Sequence, residues 1–298
     1  MIKNINDLPK DFDWEYYLEY YEDLRNEGFH TEEEAKNHYL IHGQYENRIY
    51  CEQDNYFKYF VFTSGKTGSQ TLKISIKNVG KVLHVHSGNH FKEGRKSKQT
   101  LKEVIINSSK KFEKIYVIDS YREPFERGVS SFFQNIDKHC PEWEKMSTDE
   151  LISFFNKKKL YLLDLYHSYY ESWGYFDIST NVEFDFDKGY ITRQFENIIF
   201  IKTRLKESYR WGEIFSELIG EILTFDHENN SAEKKYNKQY IDFKKQYKLP
   251  ESIKKQFLDI INSKSNNFNE PFYVTWLEMK KFMTENEIDE YLKKWIYI

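Results

Sequence analysis

The amino-acid sequence predicts an α/β protein: a parallel sheet flanked by helices, with a helical hairpin before it and a helical region after it. Three observations carry this expectation. The run 56–62 is continuously apolar and aromatic, the mark of a strand buried on both faces. Further strand-like runs at 81–86, 115–118 and 198–201 alternate with stretches of helical periodicity, the order that builds a parallel sheet. Glycine (12) and proline (5) are scarce for 298 residues, so long helices can run uninterrupted.

In chain order, residues 1–52 read as a helical module of their own. Trp14, Tyr17, Leu18 and Tyr21 fall at i, i+3, i+4 and i+7, on one helical face. Thr31 with Glu34 three residues on is a capping box, and the helix behind it is expected to end at Gly43 as a C′ glycine. This hairpin reads either as a packed cap or as a docking or glycan-contacting accessory. Residues 53–298 read as the α/β domain. After the strand at 56–62 comes the loop Ser64-Gly65-Lys66-Thr67-Gly68-Ser69, then a helix with Leu72, Ile76 and Val79 on one face. The strand at 81–86 and a polar helix near 96–110 lead to the strand at 115–118. Pro124 opens the next helix, whose Phe125, Val129, Phe132, Phe133 and Ile136 keep helical spacing. The last third is helical almost throughout.

Composition excludes several classes. The aromatic share of 18% excludes wholesale disorder. Charged residues at 31% and a mean hydropathy of −0.80 exclude a bundle of membrane spans, and no run approaches the roughly 20 apolar residues a membrane helix needs. The first residues lack the apolar core of a signal peptide, so a cytoplasmic protein is expected. Cys51 and Cys140 are too few for a disulfide framework and read as ordinary thiols in a reducing compartment. Lys+Arg 44 against Asp+Glu 48 gives a net charge of −4, which argues against nucleic acid as a partner. Any anion must be held by a few well-placed positive groups.

Two such placements are visible. The loop from Ser64 to Thr71 joins a buried strand to a helix N-terminus, where backbone N–H groups and the helix dipole favour an anion. Lys66 adds a full charge, and Thr67, Ser69 and Thr71 add hydroxyls. It is not a Walker A loop, because Phe60 stands where that motif has its first glycine. Arg122 sits where the third strand ends, at the edge where open α/β folds bind ligands, and Ser130 follows eight residues later. An Arg fork plus a hydroxyl suits a second phosphate. The competing reading of Arg122 is a surface salt bridge with Glu123 or Glu126, and Arg127 reads as structural in that same way. Lys202 and Arg204 read as a solvated strand end.

This ordered set resembles the sulfotransferases that use 3′-phosphoadenosine 5′-phosphosulfate (PAPS), at residues 65–72 and 122–130. Within that superfamily the chain is most similar to the capsular polysaccharide synthesis group. The likeness rests on Val82 to Ser87, Ser131 to Asn135, Phe184 to Tyr190, Asn262-Ser263-Lys264 and Glu287-Ile288-Asp289, and it spans roughly residues 56–298. Two positions depart: Glu123 replaces the usual Asp, and Lys235 stands where the family has Trp between Lys234 and Tyr236. The resemblance implies a P-loop NTPase-like sulfotransferase fold and metal-free transfer of a sulfuryl group to a carbohydrate hydroxyl. Gly65, Lys66, Thr67, Gly68, Ser69, Gln70 and Thr71 would hold the 5′-phosphosulfate, and Arg122 with Ser130 the 3′-phosphate. The product would be 3′-phosphoadenosine 5′-phosphate (PAP). Lys66 would stabilise charge on the leaving phosphate.

The acceptor hydroxyl needs a base, and imidazole is suited to neutral pH. His86 is the first candidate and His84 the second, since both fall on one face of the second strand; His90 lies on the loop after it. Aromatic residues from Tyr161 to Tyr175, with His167, read as a sugar-stacking wall or as helix packing. Two other classes stay open: a nucleotide-dependent kinase, and a non-catalytic glycan- or protein-binding module on a degenerate fold.

Overall fold

A computed structural model describes residues 8–46, 48–51, 56–88, 99–162, 183–225, 234–262 and 270–296. His90, His167 and most of the aromatic stretch after Tyr161 fall outside them.

The N-terminal segment forms α1 (Trp14–Tyr20), α2 (Glu22–Asn26) and α3 (Glu32–His38), and α3 runs on into a π-helical turn, Tyr39–Gly43. Asp13 caps α1, and the Thr31–Glu34 capping box starts α3. Tyr17, Leu18, Tyr21, Leu24, Ala35 and Tyr39 close a small core with Ile49. Gly43 is not a left-handed C′ residue. It lies inside the π turn, where a Cβ would collide with the Tyr17 hydroxyl, so close approach and not positive φ requires glycine.

The sheet has five strands, β1 (Tyr59–Phe62), β2 (Val82–Val85), β3 (Ile115–Tyr121), β4 (Tyr190–Phe195) and β5 (Ile198–Arg204), in the order β2-β1-β3-β5-β4. The first four in that order are mutually parallel, while β4 pairs antiparallel with β5 across a tight turn at Glu196 (φ +51°). The sheet is therefore mostly, not wholly, parallel. Strand β4 escapes the sequence pattern because it is an edge strand whose Thr192, Arg193 and Gln194 are half-exposed or exposed instead of forming an apolar run.

Side chains of the central strands alternate between two cores, as the two-residue period demands. Tyr59, Val61, Tyr116 and Ile118 pack with Leu72 and Ile76 of α4 (Ser69–Lys77). On that face they also meet Trp211, Ile214 and Phe215 of a helix at Trp211–Ile219. Phe60, Phe62, Val117 and Phe200 face the other side. There they meet α5 (Leu101–Ser109), α6 (Pro124–Gln134), α7 (Ile136–His139) and α8 (Thr148–Lys157). With the Trp211 helix as α9, the C-terminal helices are α10 (Asn237–Gln246), α11 (Glu251–Asn262), α12 (Glu270–Phe282) and α13 (Glu285–Trp295), which seal this second core. Among the described residues no helix is long and apolar enough to cross a membrane. Both cysteines are free thiols.

The strand order sets where a ligand would sit in an open sheet of this kind. The chain leaves β1 toward β2 on one side and returns over it to β3 on the other. The carboxyl ends of β1 and β3 therefore flank the point where the winding reverses, the usual ligand position in open α/β sheets.

Candidate active site

The loop after β1 sits at that point and is locked from beneath. Thr63 Oγ1 and Thr67 Oγ1 lie 2.8 Å apart, and Thr67 donates to the Ser64 carbonyl at 2.8 Å. The Ser120 amide of β3 donates to Thr63 Oγ1 at 3.2 Å, which ties the two strand ends together. Two residues of the loop, Lys66 and Gly68, have positive φ. Lys66 has φ +68°, which costs a non-glycine residue on the order of 1–2 kcal/mol. Strain of that kind gathers at ligand sites. Gly68 has φ +86° at the N-cap of α4, and a Cβ there would meet the Trp211 ring at 2.6 Å. Gly65 differs: a Cβ on it would enter open space, so nothing in the protein's own packing asks for glycine. A backbone left bare toward open space permits close approach of a ligand.

One helix braces the loop along its length. On α6, Glu126, Ser130 and Gln134 share a face over about 12 Å. At its far end Gln134 Oε1 accepts from Lys66 Nζ; Gln134 is neutral, so this contact fixes the ammonium without cancelling its charge. At its near end Arg122 Nη1 donates to the Lys66 carbonyl at 3.0 Å, and Nη2 reaches Glu126 at 3.5 Å and Tyr240 Oη at 3.4 Å. Ser130 lies between them, half-buried. Arg127, which the sequence suggested as a surface residue, is buried and donates to Ser64 Oγ at 2.9 Å. It holds the loop from inside because position 127 falls on the core face of α6.

Glu126 is the electrostatic centre. Lys244 of α10 approaches it at 2.9 Å, Lys294 of α13 also pairs with it, and Arg122 is the third cation. Burial pushes its carboxyl pKa up, but Lys244, Lys294 and Arg122 outweigh burial and hold it down at about 2. One carboxylate therefore faces three cations, with Lys66 beside them. That surplus of positive charge, next to a helix N-terminus, creates a local potential that favours an anion.

The histidines lie beside the same loop. His84 on β2 and His86 just beyond it are edge-to-face, with ring centroids 4.6 Å apart. His86 is exposed, and its Nδ1 is 2.9 Å from the Thr63 carbonyl. A carbonyl only accepts, so Nδ1 carries the proton and Nε2 keeps its lone pair. His84 differs: burial first, then His86 and Lys73, lower its pKa to about 4, and its Nε2 is buried.

The structure thus places Gly65, Lys66 and Gly68 in the loop after β1, bonds Arg122 to the Lys66 carbonyl, sets Ser130 on α6 between Glu126 and Gln134, and bonds His86 to the Thr63 carbonyl. Thr67 is fully buried with its hydroxyl spent on Ser64, which leaves only its backbone to a ligand. Ser69 and Thr71 are buried in the first turn of α4, and Gln70 points to solvent. Lys202 and Arg204 are not a solvated strand end. Lys202 pairs with Asp119 across the β3–β5 register at 2.9 Å, and Arg204 is enclosed by Glu207 and Glu287. Lys235 lies on the surface, paired with Asp137 at 2.8 Å. Sequence reasoning missed Thr63, Gln134, Tyr240, Lys244 and Lys294. Gln134 has a signal of its own, since it stands four residues after Ser130 on the same face of α6.

Comparison with protein-family models, with curated proteins and with solved structures found no match.

Proposed function

We propose that this protein is a sulfotransferase that moves the sulfuryl group of PAPS to a hydroxyl of a carbohydrate. The supporting observation is the bond from Arg122 to the Lys66 carbonyl. It makes the two anion cradles, one at each strand end, parts of a single cleft. A doubly phosphorylated nucleotide fits that charge pattern, and bare Gly65 leaves room for its nearer end. On this reading the sheet is a P-loop-like sulfotransferase sheet.

Bound PAPS supplies an activated sulfuryl group, whose transfer is an in-line displacement with charge spread over the transition state, as in phosphoryl transfer. The residues have separable duties. Loop amides and the α4 N-terminus bind the 5′ end, and the Lys66 ammonium, steadied by Gln134, meets charge that builds on the leaving phosphate. Arg122 and Ser130 hold the 3′-phosphate, and Lys244 and Lys294 add to the potential there through Glu126. His86 Nε2 takes the acceptor's proton; its tautomer is fixed by Thr63, as an orienting partner does for a catalytic base. His84, with a pKa near 4, is too weak a base and serves as its packing partner. Lys66 and aligned dipoles provide the positive charge, so Mg²⁺ is not required.

Calorimetry with PAP tests the reading. Binding is expected, unchanged by EDTA, and a chain that ignores PAP sinks it. Labelled donor with glycan, tyrosyl-peptide and phenol acceptors then names the substrate. In His86→Ala, turnover should collapse while PAP affinity stays; intact turnover would remove His86 as base.

A further inference from the structure

The N-terminal helices hold a second cavity, of about 410 Å³, within the range of small-ligand sites. Its wall is preformed. Arg48, 6% exposed, pairs with Asp23 at 2.8 Å and Glu46 at 2.5 Å and lies over the Tyr21 ring at 4.6 Å. His38 shares a hydrogen bond of 2.9 Å between Nδ1 and the buried Tyr17 hydroxyl, which leaves its other nitrogen to the cavity. Phe29 meets His38 edge-on and gives an apolar side, while Glu27, Asn37 and His42 bring further polar groups.

The backbone marks this cavity as more than a packing gap. The π-helical turn Tyr39–Gly43 carries two of its lining residues, Ile41 and His42. Such turns are rare and are frequently found at functional sites. Ile41 is 62% exposed and so offers an apolar contact at the mouth of the cavity.

The lining selects the ligand. Three carboxylates against one guanidinium repel phosphate, sulfate and carboxylate groups. Among the described residues no three metal-ligating side chains are arranged to hold a metal ion. An ammonium ligand would leave the amide, the imidazoles and the apolar side unused. A sugar ring uses all of them: its hydroxyls both donate and accept, matching carboxylate, amide and imidazole, and its C–H face suits Phe29 and Ile41. We infer that this cavity binds an uncharged sugar residue, so that the N-terminal module retains unsulfated glycan and rejects its sulfated form.

The contrast between unsulfated and sulfated glycan rests on the transferase reading, whereas binding of an uncharged sugar does not, and it is tested without donor. The full chain is titrated by calorimetry and saturation-transfer NMR with methyl glycosides and disaccharides of glucose, galactose, mannose and N-acetylglucosamine, and with their 6-sulfates. At least one uncharged saccharide should bind with millimolar or tighter affinity, and its sulfate at least tenfold more weakly. Glu27→Gln, Asn37→Ala and His42→Ala should each weaken binding about tenfold; all three side chains are exposed, so the fold is not at risk. Lys66→Ala should leave it unchanged. The inference is overturned if no saccharide binds, if the three variants bind like wild type, if the sulfates are preferred, or if putrescine occupies the cavity instead. Saccharide binding without PAP binding would uphold this site and remove the transferase.

Discussion

Two strand ends of one sheet hold cations and treat them oppositely. At the end of β5, each charge is answered. Lys202 pairs with Asp119 at 2.9 Å, and Arg204 meets Glu207, Glu287 at 2.9 Å and the Phe282 carbonyl at 3.2 Å. The rings of Phe184 and Phe186 lie 5.1 Å from its guanidinium. At the ends of β1 and β3, Arg122, Lys244 and Lys294 converge on the single carboxylate of Glu126, and Lys66 leans on an amide. Both regions sit where α/β folds bind ligands. Charge balance separates them: a matched buried pair fixes the scaffold, while an excess of cations keeps its field for something that arrives.

The largest effect is expected at the balanced end. Arg204→Met strands the buried charge of Glu207, leaves Glu287 to Lys206 alone, and should cost about 3–5 kcal/mol of stability, measured by urea unfolding. PAP affinity of the folded fraction should not change. A stability like wild type would show that this network is not the strut it looks to be. At the surplus end the pattern inverts. Lys66→Ala should unfold like wild type yet lose about 10²–10³ in turnover, with far less change in PAP affinity. Equal losses in rate and affinity would make Lys66 a plain binding residue.

Much of this contrast is legible in the sequence, but only where the signal is local. The first three strands, the glycine-bearing loop and Arg122 announce themselves through apolar runs and their punctuation. Arg204 and Lys202 look solvated in one dimension because the carboxylates that neutralise them come from elsewhere: Asp119 on β3 and Glu287 on α13. The surplus is hidden for the same reason. Lys244 and Lys294 stand 118 and 168 residues from Glu126, on polar helical faces like many others in this lysine-rich chain. No local pattern says that two C-terminal helices will fold back onto one carboxylate. Arg127 was misjudged because charge in a helix reads as surface unless the buried stripe is known to include it.

Glu126 sharpens the comparison: among the described residues it is the carboxylate on which Arg122, Lys244 and Lys294 converge. Its folded pKa of about 2 lies below the ordinary 4.5, so its stabilising contribution is complete above pH 4.5 and is lost as pH falls toward 2. Glu126→Gln should lower stability at neutral pH by on the order of 2–3 kcal/mol, a difference that closes as the pH approaches 2. PAP affinity should move the other way, rising several-fold, because the nucleotide no longer competes with a carboxylate for the cations. Weaker PAP binding in this variant would mean that Glu126 positions Arg122 more than it shields it.

The smallest effect concerns His84, the group that burial keeps uncharged beside the cation-rich strand ends. Its folded pKa of about 4 lies below the ordinary 6.5, so the folded state binds its proton later than the unfolded chain. The resulting stability is whole above pH 6.5 and drains away as pH falls to 4, on the order of 2 kcal/mol after allowance for partial exposure. His84→Asn, which cannot titrate, should flatten the stability profile between those limits. NMR titration should show one imidazole at the site with a pKa near 4. An anion in the neighbouring cleft should raise that value, because a negative charge favours the imidazolium, and PAP is the anion to try. A His84 resonance that PAP leaves unmoved would place the bound phosphates away from β2, and the surplus charge at Glu126 would then need another guest.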